Sequence, residues 1–89
     1  MTAESDNQYP GIVAILNRRW RVIRCRHGIQ WVLQHRHGPE MGLTAIWDSR
    51  SYCQTREALT RCSREHAGDI AGDALVILLR LPARIGGLP

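Results

Sequence analysis

From Trp20 to Arg36 the chain reads WRVIRCRHGIQWVLQHR, two stretches in which apolar residues recur at every second position with arginines and glutamines between them. A period of two marks strands with one face buried. Between the stretches, His27-Gly28 supplies turn chemistry: glycine takes positive φ without steric cost, and histidine is among the few other residues that visit that region readily. With those two as the turn, Arg26 pairs with Ile29 and the ladder runs out to Trp20 opposite His35. One face then carries Trp20, Val22, Arg24 and Arg26 opposite His35, Leu33, Trp31 and Ile29, with Arg24 placed to stack on Trp31. The other carries Arg19, Arg21, Ile23 and Cys25 opposite Arg36, Gln34, Val32 and Gln30. A three-residue loop with a bulge would exchange the faces of one strand, so the register hinges on the turn.

Further along, His37-Gly38-Pro39-Glu40-Met41-Gly42 is loop chemistry, and a third strand fits within Thr44 to Cys53, best at Arg50 to Cys53. Thr55 is an N-cap for a helix over REALTRCSREHAG. Its residues Ala58, Leu59, Cys62 and His66 share one side, Glu57/Arg61 and Arg61/Glu65 stand four apart, and Gly68 ends it. The apolar run Ile12 to Leu16 fits a short strand or a single helical turn. Residues 1–11 are polar, end at Tyr9-Pro10-Gly11 and read as a disordered tail. Asp73 to Leu81 is too apolar to stay in water and stops at Pro82. Asp73 or Asp69 would cap a short helix there, although Val76 and Ile77 also suit a strand. The expected fold is α+β: a three-stranded antiparallel sheet packed against one main helix (β-β-β-α), plus a short apolar C-terminal helix. It forms one small domain over 12–85, with 86–89 as a flexible end.

Charge sharpens this picture. All twelve basic side chains are arginine; ten lie between Arg18 and Arg64 against Glu40, Asp48 and Glu57, which leaves the middle strongly positive and the flanks acidic. Guanidinium forks match phosphate oxygens bidentately and stay charged at physiological pH. GC-rich coding and solubility alone would also produce such a set. A chain of 89 residues supports one modest core and no large catalytic cleft. Cys25, Cys53 and Cys62 are odd in number and form no CxxC, which points to a reducing compartment rather than a stapled secreted scaffold. Met1 to Pro10 lacks a positive n-region, and the runs Ile12 to Leu16 and Leu75 to Leu79 are too short to span a bilayer, so a soluble cytoplasmic protein is expected.

The helix needs an apolar sheet face to cover. Val22, Ile29, Trp31 and Leu33 offer the larger one, each such side chain contributing ~1.5 to 3 kcal/mol on burial. The opposite face would then display Arg19, Arg21, Gln30, Gln34 and Arg36 around a small apolar centre, the expected nucleic-acid-binding set. A twisted antiparallel sheet enters the major groove, where Arg reads guanine, Gln reads adenine and further arginines hold phosphates. Three places are open to the apolar C-terminal segment. It covers Ile23, Cys25 and Val32 and closes that face, it extends the first core beside Leu59 and Cys62, or it forms a homodimer seam.

A three-stranded sheet backed by one helix resembles the amino-terminal DNA-binding domains of phage integrases and the plant AP2 type, a likeness covering about Trp20 to Gly68. It implies DNA binding by the face away from the helix, that is Arg19, Arg21, Gln30, Gln34 and Arg36. The stretches WRVIRCRHGIQWVLQHR and SRSYCQTREALTRC are also similar to a group of short bacterial proteins that accompany mobile elements, a resemblance that implies no particular activity.

Catalytic and metal chemistry is thinly supported. His35 and His37 share a strand face and with Cys53 or Cys62 would make a zinc site, but structural sites show closer cysteine pairs. Cys62 with His66 at i,i+4 lacks an orienting carboxylate and an oxyanion loop. Trp20, Trp31 and Trp47 read as packing residues, with Trp47 in an exposed setting. No catalytic residue, metal, cofactor or small-molecule substrate is inferred. Two readings follow: a DNA- or RNA-binding accessory protein, and a protein-interaction module or homodimer joined through the C-terminal apolar segment.

Overall fold

The computed structural model describes residues 3–37 and 46–86. Four strands, β1 (Ile12–Ile15), β2 (Trp20–Arg24), β3 (Trp31–His37) and β4 (Ile46–Cys53), form one antiparallel sheet in the order β1-β2-β3-β4. Two helices follow, α1 (Arg56–Ala67) and α2 (Gly72–Arg80). The α+β class and antiparallel sheet agree with expectation, but there are four strands rather than three and two helices back the sheet rather than one. The added strand is IVAI: a four-residue apolar run carries no periodicity of its own, and it becomes a strand because β2 offers it an edge. Its register slips between Ile12 and Ala14, which turns Ile12 toward Ile23 on one face and Ala14 toward Val22 on the other.

Asn17 makes the β1–β2 turn. Its Oδ1 accepts from the N–H groups of Arg19 (2.8 Å) and Trp20 (3.0 Å), while its Nδ2 donates to the carbonyls of Ala67 (3.2 Å) and Asp69 (2.9 Å). One amide therefore shapes a turn and caps the end of α1.

The β2–β3 ladder has the expected partners, from Trp20 opposite His35 to Arg24 opposite Trp31. The turn differs in detail. Gly28 donates to the Cys25 carbonyl at 2.9 Å and alone takes positive φ (69°), His27 does not, and pairing closes with Cys25 donating to Gln30 at 3.0 Å. The loop is thus longer than two residues, yet the faces are those read from the alternation. In β4 the register shifts between Leu33 and Gln34, which sit opposite Ser51 and Ser49, leaving Arg50 as the extra residue. This bulge puts Cys53 on the helix side and Trp47 on the other.

Helix α1 begins as its sequence predicts, with Thr55 Oγ1 accepting from Ala58 N at 3.2 Å, and ends at Gly68 with φ 71°. Helix α2 has Ala71 at its N-cap with no side-chain cap bond; Asp73 lies inside the first turn, its Oδ1 accepting from Ala74 N at 3.0 Å. Of the three places open to the C-terminal segment, α2 takes the second. Ala74 and Leu78 join Ala14, Leu16, Val22, Trp31, Leu33, Cys53 and Leu59 in the main core. After α2 the chain returns as a strap over Leu81–Gly86, where Arg56 N donates to Ala83 O (2.9 Å) and Ile85 N to Gln54 O (3.0 Å).

The N-terminal segment differs most from expectation. Residues 3–10 are not a disordered tail but lie across the sheet face opposite the helices. Tyr9 is buried there with Ile23, Cys25 and Val32 in a second core, and its hydroxyl donates to the Arg24 carbonyl at 2.8 Å. Asp6 bridges to Ile46, and Trp47 N donates to Ser5 O at 3.0 Å. Of the loop read at 37–42, His37 is instead the last residue of β3 and residues 38–42 lie outside the described residues, as do residues 87–89 of the flexible end read at 86–89.

Candidate interaction surface

The face read as an open nucleic-acid platform is closed at its centre. Arg21, only 1% exposed, donates from Nε to Gln34 Oε1 (2.8 Å), from Nη1 to Asn7 O (3.3 Å), and from Nη2 to Glu4 O (3.0 Å) and Asp6 O (2.9 Å). Gln34, equally buried, donates from Nε2 to Glu4 O (3.2 Å) and Ser49 Oγ (3.4 Å). The Arg21 guanidinium also lies 4.4 Å from the ring centroid of Trp47, whose indole N–H donates to Asn7 Oδ1 at 3.0 Å. Trp47 is therefore buried rather than exposed, and the cation–π contact that forms is Arg21 over Trp47, not Arg24 over Trp31. Burial pulls the Arg21 pKa down to about 10, so the group is charged at neutral pH. Three main-chain carbonyls of the N-terminal segment and one side-chain amide satisfy it without a carboxylate contact.

The five residues expected to act together are dispersed. Arg21 and Gln34 bond to each other beneath the N-terminal segment. Arg19 is exposed and Arg36 half-buried at the open end of the hairpin, joined through Arg36 N donating to Arg19 O at 2.7 Å. Gln30 sits at the opposite end, in the turn.

Beside Arg19, on the helix side, imidazoles gather around Trp20. His35 stacks on it at 4.7 Å between centroids, His66 of α1 lies 5.7 Å away, and His37 meets His35 edge-on at 6.1 Å. Burial, then the charges of Arg50, His37 and Arg19, lower the His35 pKa. His37 Nε2 contacts Asp48 Oδ2 at 2.6 Å in the open. Among the described residues no group of three or more His, Cys, Asp or Glu is placed to hold a metal ion.

The cysteines divide in character. Burial and the adjacent Cys62 thiol push Cys53 up to about 11. Burial also raises Cys25, but the N–H groups of Ile29, Gln30, His27 and Gly28 around its sulfur outweigh that and bring it below the usual thiol value. All three are free thiols.

On the helical side the surface is of another kind. Helix α2 buries Ala74 and Leu78 but leaves Val76 (46% exposed), Ile77 (41%) and Leu79 (53%) in solvent. Leu79 borders a shallow groove of about 420 Å³ whose other walls are Arg56, Glu57, Thr60, Arg61 and Arg64 of α1. Arg56 is engaged, donating to Leu81 O at 2.9 Å. Arg61 and Arg64 have no ion-pair partner among the described residues, and the expected Glu57/Arg61 and Arg61/Glu65 pairs do not close. The apolar part of this surface belongs to the C-terminal segment that the sequence offered as an interaction or homodimer seam, and Ala74 to Leu79 carry the signal, six apolar residues in a row that cannot all be buried in so small a domain; the arginine-lined groove beside it was not read. Among the described residues, no helix is long and apolar enough to cross a membrane.

No protein-family model, curated protein or solved structure matches this chain.

Proposed function

We propose that this chain is a protein-binding module whose α1/α2 surface receives an acidic amphipathic segment of a partner. The observation that carries the reading is an apolar helix face, Val76, Ile77 and Leu79, lying beside a groove lined by three arginines and one glutamate. Apolar residues of a partner helix at i, i+3 and i+4 would cover Val76 and Leu79, while its carboxylates meet Arg61 and Arg64. A second copy of this chain fits the apolar stripe less well, because the net charge of +4 opposes self-association across an arginine-lined seam. The chain would work in the cytoplasm, in keeping with its free thiols.

Titration with a synthetic helical peptide alternating Glu and Leu faces tests this. Saturable binding is expected, weakened about tenfold by combined Arg61→Glu and Arg64→Glu substitution, or roughly 1.4 kcal/mol. No saturation up to about 1 mM peptide, or equal affinity for the doubly substituted chain, contradicts it. Sedimentation that finds a dimer instead assigns the stripe to self-association.

A second reading keeps nucleic acid as the partner but moves the contact. Arg18, Arg19 and Arg50 are exposed around the open end of the sheet, and Arg50 and Arg19 stand close enough to lower His35. Three or four phosphate contacts there predict that log affinity falls with log salt at a slope of about 3 to 4. Duplex binding that ignores salt removes this reading.

A further inference from the structure

A second cavity, of about 530 Å³, lies at the far end of the molecule between β1, the β2–β3 turn and the Leu81–Gly86 strap. Its walls are Ile12, Val13, Leu81, Pro82 and Ile85, and Trp31, itself 2% exposed, forms its floor. The one charged residue of its lining is Arg24. The Arg24 side chain has no ion-pair partner among the described residues; only its backbone is engaged, N donating to Gly11 O at 2.8 Å and O accepting from the Tyr9 hydroxyl at 2.8 Å.

The cavity is built by main-chain bonds rather than by a chance gap between side chains. The strap is bonded to the α1 entry at Ala83 and Ile85, and Gly11 is held beneath Arg24. A Cβ at Gly11 would stand 2.6 Å from the Tyr9 ring and 3.0 Å from the Arg24 carbonyl, so no larger residue fits that wall unless the ring moves. Its volume falls in the range of sites that hold small molecules, and such sites pair apolar walls with a few fixed polar groups.

We propose that this cavity binds a small apolar monoanion, its hydrocarbon or aromatic body between Ile12, Leu81 and Ile85, over the small exposed edge of Trp31, and its carboxylate on Arg24. The site is separate from the α1/α2 surface and does not depend on it. Decanoate, kept below its aggregation concentration, is the probe, and the readout is the indole N–H signals of the three tryptophans in NMR spectra of the full chain. A saturable shift of the Trp31 signal is expected, with Trp20 and Trp47 unmoved. Arg24→Gln should weaken binding about tenfold, Arg24→Lys should restore most of it, and Arg18→Gln, exposed in the β1–β2 turn at the other end of the sheet, should change nothing. Decanol, neutral and of equal length, should bind the unsubstituted chain more weakly than decanoate, a comparison that needs no variant to fold. The proposal is overturned if Trp31 does not respond, if Arg24→Gln binds like Arg18→Gln, if decanol matches decanoate, or if the shifts centre on Val76 and Leu79, which would mean adsorption to the apolar helix face.

Discussion

Replacing Arg21 by alanine distinguishes a sheet face sealed by the N-terminal segment from the open face that charge alone suggests. The guanidinium makes four hydrogen bonds of 2.8 to 3.3 Å and a cation–π contact at 4.4 Å. Bonds from a charged donor contribute ~1.5 to 3 kcal/mol each, but most of that gross sum offsets the several kcal/mol needed to take the cation out of water. What alanine leaves behind decides the net effect. The carbonyls of Glu4, Asp6 and Asn7 can return to water once the segment lifts, whereas Gln34 Oε1 loses its partner in a buried site, at ~1 to 3 kcal/mol. Adding the docking of residues 3–10, the expected loss is about 2 to 4 kcal/mol, a large part of the ~5 to 10 kcal/mol typical of a domain this size. Urea unfolding followed by tryptophan fluorescence measures it. Hydrogen exchange at the Trp47 amide, which donates to Ser5 O, reports whether the segment has lifted. An unchanged unfolding midpoint together with an equally protected Trp47 amide would rule out a structural Arg21. An arginine that served an open binding face would give that result and lose only affinity.

Neighbouring leucines of α2 should behave oppositely: Leu78→Ala, in the core, costs about 2 to 5 kcal/mol, while Leu79→Ser stays within about 0.5, and equal losses would mean the helix is rotated from its described position. Because the folded His35 pKa lies below its unfolded value, the unfolded chain takes up its proton first as pH falls through about 6.5, so stability is lost on acidification from there down to the folded pKa and the contribution is flat below. His35→Gln should flatten the pH dependence of the urea midpoint in that window, and an unaltered slope would exclude the residue. With an aromatic disulfide reagent at pH 8, Cys62, half-exposed, should react well before Cys53, which is buried and raised to about 11. Comparable rates, read by peptide mass mapping, would contradict that burial.

Much of the fold was legible because local chemistry and tertiary packing agree. Alternation alone assigned the β2–β3 faces, since the apolar set Val22, Trp31 and Leu33 has only one side on which it forms a continuous surface. Thr55 and Gly68 marked α1 through backbone requirements that do not depend on context. IVAI did not declare itself, because four residues satisfy either period. The candidate face failed for a different reason. Arg21 opposite Gln34 was read correctly as a pair, and its exposure was inferred from charge. Main-chain carbonyls can accept the hydrogen bonds of a guanidinium, and any residue supplies them, so no pattern in TAESDNQYP announces that the segment provides three of them. A mid-strand arginine facing a glutamine and a tryptophan, with no carboxylate opposite, is the residual sign that acceptors must arrive from elsewhere.

The proposed recognition on the helical side, with the other side of the sheet sealed by residues 3–10, is open to a single decisive comparison. Amide shifts are mapped on one labelled sample, first with the acidic Glu/Leu peptide and then with a short duplex. The peptide should move Arg61, Arg64, Val76 and Leu79 and leave Arg21, Gln34 and Trp47 in place. Duplex-induced shifts centred on Arg21 and Gln34, with loss of the Asn7 contact, would show instead that the sheet face opens to its ligand.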